Sequence, residues 1–150
     1  MDTIVKPKIV RLSLSDGHYI DVRRRLNTGE QQDMFAAMAP YLVAGEKPQL
    51  KSQAVMTAKV LAYLLGWSLT DDGAPIPMSP DLPDGVRMAT VRSIDPDVFR
   101  EIREAIDTHE AAVELEIEQT KNARAGVSDS NKTRSSPDGL GVGRSLESVN

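Results

Sequence analysis

The stretch 50–78, LKSQAVMTAKVLAYLLGWSLTDDGAPIPM, constrains the fold more than any other part of the chain. Ala54, Val55, Ala58, Leu61, Ala62, Leu64 and Leu65 recur at helical spacing, with good helix formers between them. This pattern predicts a buried central helix that Gly66 ends in a left-handed conformation. Trp67 and Leu69 then alternate about Ser68, Asp71-Asp72-Gly73 turns the chain, and Ala74-Pro75-Ile76-Pro77 returns extended. The helix is too apolar to face water and should hold the fold. Trp67 has no cluster of aromatic or cationic residues beside it, so packing is expected of it rather than ligand stacking.

A chain of 150 residues makes one domain the default. Only 4% of it is aromatic, so the core must be built from Leu, Val, Ile, Met and Ala. The net charge of -4 gives no basis for nucleic-acid binding through phosphate contacts. With no cysteine, disulfides and thiolate metal sites are excluded, which fits a reducing cytoplasm. No apolar run approaches the roughly 18 residues of a membrane span, and MDTIVKPKIV lacks the apolar core of a signal peptide. A soluble cytoplasmic chain is expected.

Residues 9–14 and 19–24 read as a β-hairpin about Ser15-Asp16-Gly17. A two-residue loop would pair Leu14 with Tyr19 and mix the faces. A three-residue loop, with a type I turn followed by a left-handed Gly, pairs Leu14 with His18, Leu12 with Ile20 and Val10 with Val22. That register puts Val10, Leu12, Leu14, Ile20 and Val22 on one face, with Arg11, Ser13, Tyr19, Asp21 and Arg23 largely on the other. A lone hairpin is marginal, so it should lie on helices. Arg23-Arg24-Arg25 is the basic run of the chain, read as a strand end facing solvent or nearby carboxylates. A phosphate contact is the sharper alternative, without the Gly-rich loop or interleaved aromatics that would support it.

Asn27 or Thr28 should cap a helix whose first turn holds Glu30 and Gln31, and Thr28 with Gln31 fits a capping box. Met34, Phe35, Met38, Tyr41 and Leu42 then form an apolar stripe that Pro40 should kink or end early. Residues 44–48 connect to the central helix. After Met78 a Pro- and Asp-rich loop leads to Val86, Met88 and Val91, a weak pattern of one or two helical turns.

Asp95-Pro96 is a strong helix start, with Asp95 as N-cap and Pro96 at the first helical position. Phe99, Ile102, Ile106, Val113 and Ile117 mark one face, and His109 falls on it as a boundary residue. Glu110, Glu114, Glu116 and Glu118 read as a solvated acidic face. From residue 120 the composition turns to Ser, Gly and Asn without periodicity, and residues 120–150 are expected to be disordered. This tail carries five Lys/Arg and three Asp/Glu, hence +2, against 13 and 19, hence -6, for residues 1–119.

P-loop, GxGxxG, HExxH and GxSxG patterns are all missing. Two histidines leave little for a metal site, and Asp71-Asp72-Gly73 lacks the further ligands of a calcium loop. No enzyme activity, cofactor or metal is therefore expected.

The order of hairpin, Leu26-x-x-Gly29-Glu30 helix start, Gly66-Trp67-Ser68-Leu69 and Asp72-Gly73-Ala74-Pro75-Ile76-Pro77, followed by Asp95-Pro96-x-x-Phe99-x-Glu101-Ile102 and Ala105-Ile106-x-x-His109, resembles the tail assembly chaperones of long-tailed bacteriophages. The resemblance covers roughly residues 9–117 and consists of scaffold residues. It implies a mostly helical, non-enzymatic protein of the host cytoplasm, missing from the mature virion. Such a protein binds the tape measure protein, keeps it soluble and helps tail-tube subunits polymerise around it. Family members are often made in a short and a frameshifted, extended form.

The fold expected is α+β, an N-terminal β-hairpin packed on about three helices over residues 1–119, with a disordered tail at 120–150. Two other functions stand beside the chaperone: a structural head-tail connector or tail-terminator component, and a small nucleic-acid-binding regulator using Arg23, Arg24 and Arg25. For the chaperone, Met34, Phe35, Met38 and Leu42 are the expected contact with the tape measure protein, extended by Ile102 and Ile106. Flexible Met side chains adapt to many similar helices better than branched ones. No membrane is expected among the partners, nucleic acid is disfavoured, and homo-oligomerisation is left open.

Overall fold

A computed structural model describes the backbone of residues 3–42 and 48–149, and the side chains of 3–40 and 53–125. Its architecture is α+β. Strands β1 (Ile9–Ser13) and β2 (Tyr19–Arg23) precede helices α1 (Thr28–Leu42) and α2 (Pro48–Tyr63). Strand β3 (Leu64–Trp67), the short pair β4 (Thr70–Asp71) and β5 (Ala74–Pro75), and helices α3 (Asp84–Ser93) and α4 (Pro96–Val149) follow. Contacts divide the chain into two units, Met1–Ala111 and Ala112–Asn150, ahead of the change in composition at 120.

The hairpin register is the one that its alternation predicts. Val10 faces Val22, Leu12 faces Ile20, and the Leu14 amide donates to the His18 carbonyl at 2.8 Å. The loop has the expected length but a different turn. Asp16 and Gly17 are both left-handed, at φ 57° and 75°, so the turn is the I′ kind, whose twist matches that of the strands.

The largest departure lies at the end of the central helix. It stops at Tyr63, and Leu64–Trp67 forms a third strand beside β2, giving the antiparallel order β1-β2-β3. Gly66 pairs with Asp21 inside that strand and does not adopt a left-handed conformation. Leu64 and Leu65 extend a helical pattern in sequence, but a short apolar run fits strand and helix alike. The open edge of β2 decides for strand. Leu65 is the extra residue at an irregularity between Asp21 and Val22, leaving Leu64 to pair with Val22 and Trp67 with Ile20.

One core of the first unit sits between the inner face of the sheet and the helices. Ile20, Val22, Leu26, Val60, Tyr63, Leu64, Leu69, Val91, Ile102 and Ile106 are buried together. Val10, Leu12, Leu14 and Trp67 pack against this cluster, and Trp67 Nε1 donates to the Ile76 carbonyl at 2.8 Å. Trp67 is thus partly buried, apolar ring inward and polar edge satisfied. Asp72 and Gly73 turn the chain in left-handed conformations, at φ 49° and 80°.

Helix starts follow local chemistry. Asn27 Oδ1 accepts the Glu30 amide at 2.8 Å while Glu30 Oε1 accepts the Asn27 amide at 2.9 Å. This is a capping box one residue before the Thr28–Gln31 alternative. Asp95 Oδ1 accepts the Asp97 amide at 2.7 Å, and Pro96 opens α4 as expected. Helix α1 contains Pro40 and continues to Leu42. Helix α3 is longer than its weak pattern suggested, and only Val91 of its residues is buried.

Residues 120–125 continue α4 with every side chain exposed. The rest of the tail expected to be disordered, 126–150, lies outside the residues whose side chains are described.

Candidate functional site

Met34, Phe35 and Met38 are carried by one face of α1. Phe35 is 56% exposed, Met34 is half-buried against the core, and Met38 is buried at 6% exposure. The Leu42 side chain lies outside the described residues. Ile102 and Ile106 do not extend this face. Both are 0% exposed in the core cluster, because their i, i+4 spacing on α4 points them at the inner face of the sheet and at α2. Among the described residues of this set Phe35 is therefore the exposed one, with Met34 half-buried and Met38 buried on the same helix.

The Arg23-Arg24-Arg25 run does not present three parallel charges. Arg23 Nη1 lies 2.8 Å from Glu30 Oε2, and Arg23 Nε donates to the Ala62 carbonyl at 3.2 Å. Arg24 is half-buried, and its carbonyl accepts from His109 Nε2 at 3.0 Å. A carbonyl can only accept, so His109 carries its hydrogen on Nε2. Arg25 is exposed.

Sequence reasoning missed Arg87. From α3 its Nη2 donates to the Leu61 and Leu64 carbonyls, at 2.9 and 2.8 Å. Burial lowers its pKa, with Asp84 acting against that and Arg23 adding to it. Together Arg23 and Arg87 satisfy three carbonyls where α2 gives way to β3, a task otherwise left to a C-terminal glycine. No signal local to Gly66 could have revealed this.

Glu110 also differs from its expected place on a solvated face. Lys59 Nζ donates to Glu110 Oε1 at 2.6 Å and to Asp107 Oδ1 at 2.7 Å, and the Tyr63 hydroxyl donates to Glu110 Oε2 at 2.8 Å. Burial pulls the Lys59 pKa down, but the bonds to Asp107 and Glu110 outweigh it and leave it raised. This network ties α2 to α4.

A smaller polar set fixes the hairpin. Glu101 accepts the Ser15 hydroxyl at 3.0 Å and the Ser15 amide at 3.2 Å. Ser68 Oγ accepts the Tyr19 amide at 2.8 Å and lies 3.3 Å from His18 Nδ1. All these contacts hold elements together. Among the described residues no three His, Asp or Glu side chains gather in a way that could hold a metal ion, and no helix is long and apolar enough to cross a membrane.

Comparison with protein-family models, with curated proteins and with solved structures finds no match in any of the three. The functional reading therefore rests on the residues and their arrangement.

Proposed function

We propose that this chain is a non-enzymatic, helix-binding assembly factor, acting as a tail assembly chaperone of a long-tailed bacteriophage in the host cytoplasm. Its partner is the tape measure protein, a long helical chain whose apolar stripe needs cover before tail-tube subunits enclose it. The observation that carries the reading is Phe35, 56% exposed on α1 beside the half-buried Met34. An exposed ring on a helix is a ready anchor for an apolar stripe, and a flexible thioether next to it adjusts to different side chains. The scaffold pattern across residues 9–117 supports the same reading.

Co-purification of the full chain with tape measure segments tests it. Phe35→Ser should reduce recovery of the partner about tenfold, while circular dichroism shows a folded chain. Full recovery with Phe35→Ser would overturn this surface as the binding site. A chaperone is also missing from purified particles. Stoichiometric recovery of the chain in virions would favour a connector or tail-terminator component.

A further inference from the structure

Two exposed patches of opposite charge match one another, and neither includes Phe35. The first is an open depression of about 240 Å³ where the lead-in to β1 meets the outer side of the sheet. Val5, Ile9 and Leu65 form its apolar part, and Lys8 and Arg25 stand at its rim. Arg23 also lines it, neutralised by Glu30, whereas Lys8 and Arg25 have no ion pair among the described residues. This is a basic island on a chain of net charge -4, and Ile9 within it is 66% exposed.

The second patch lies on α4. Leu115 is 59% exposed, and Glu114 and Glu118 beside it are exposed one helical turn apart. Like charges at this spacing repel, and neither side chain has a hydrogen bond or ion pair among the described residues. One apolar side chain next to two unpaired carboxylates is the complement of an apolar depression lined by two unpaired cations.

We propose that a second copy of this chain docks Leu115 into the depression, with Glu114 and Glu118 facing Lys8 and Arg25. Each copy offers both a basic and an acidic patch, so every copy can give and receive this contact. A single aliphatic anchor with rim charges makes a weak, salt-sensitive association. It does not rest on the chaperone reading, because it uses neither Phe35 nor the tape measure protein.

Sedimentation velocity on the full chain tests it, over about 10 to 500 μM, the range in which a weak contact of this kind is read. The natural chain should grow in mean mass with concentration, and do so less at about 500 mM than at about 50 mM salt. The variants Lys8→Glu/Arg25→Glu and Glu114→Lys/Glu118→Lys should each weaken association about tenfold or more, and both change only exposed side chains. Mixed in equal amounts they should associate again, because each reversed patch then meets its opposite. A natural chain that stays monomeric over this range would overturn the proposal, even if it bound an added acidic peptide. So would variants that associate like the natural chain, or a mixture that does not recover.

Discussion

Arg23 and Glu30 join the end of β2 to the start of α1 through one carboxylate with two tasks. Glu30 Oε2 holds Arg23 Nη1 at 2.8 Å, while Oε1 accepts the Asn27 amide at 2.9 Å. Arg23 in turn reaches the Ala62 carbonyl near the end of α2. One ion pair thus connects three elements, and both partners are largely shielded from water.

The pair should be coupled in stability. Glu30→Ala removes the cap and the ion pair together and should cost about 1–2 kcal/mol. Arg23→Met should cost about 1 kcal/mol, and the double variant less than the sum of the two. Urea unfolding of the four chains gives the coupling. Strict additivity would mean the two side chains do not interact in solution.

Glycine positions separate strand from helix cap. An added Cβ at Gly66 would lie 3.7 Å from the Met78 carbonyl oxygen, an ordinary contact, and the backbone there is not left-handed. Gly66→Ala should therefore change stability by less than about 0.5 kcal/mol, or raise it slightly. Gly73→Ala, at φ 80°, should lose about 1 kcal/mol. If thermal unfolding showed Gly66→Ala as the costlier change, the assignment of β3 would fail.

Neighbours on α1 should respond differently to the same substitution. Met38 is buried, and Met38→Ser should cost about 2–4 kcal/mol. Phe35→Ser replaces a mostly exposed ring and should cost about 1 kcal/mol or less. Equal losses in a denaturant titration would place Phe35 in the core and remove it as an anchor.

Lys59 sets a pH dependence on the alkaline side. Burial acts to lower its pKa, yet the bonds to Asp107 and Glu110 raise it above the ordinary 10.5. A cation whose pKa is raised by folding stabilises the fold fully below the unfolded value and loses that contribution as pH rises through the folded one. The stability gap between the natural chain and Lys59→Met should stay constant from about pH 7 to about pH 10 and narrow above that. A gap that closes already near neutral pH would show that the bridge is not what Lys59 contributes.

Sequence by itself determined the features whose physics spans a few residues. Alternation in 9–14 and 19–24 set the hairpin register, because a slip of one would have exposed Ile20 and Val22. Asp95 with Pro96 and Asp72 with Gly73 announced their cap and turn, since each partner lies within one turn of the other, whereas the choice of Asn27 over Thr28 as the cap of α1 came only with its bonds to Glu30. Tertiary structure decided the rest. The run around Leu64 suited helix or strand equally, and only the vacant edge of β2 made it β3. Val60 and Tyr63 became core residues beside the expected stripe because the sheet, not the helix alone, chose which face of α2 to cover. Ile102 and Ile106 turned from candidate contacts into the most enclosed part of the core for the same reason. Arg23, Arg87 and Glu110 found carbonyls, a lysine and a tyrosine far away in sequence. A charge shows in sequence, but the partner that burial makes necessary is supplied only by the fold.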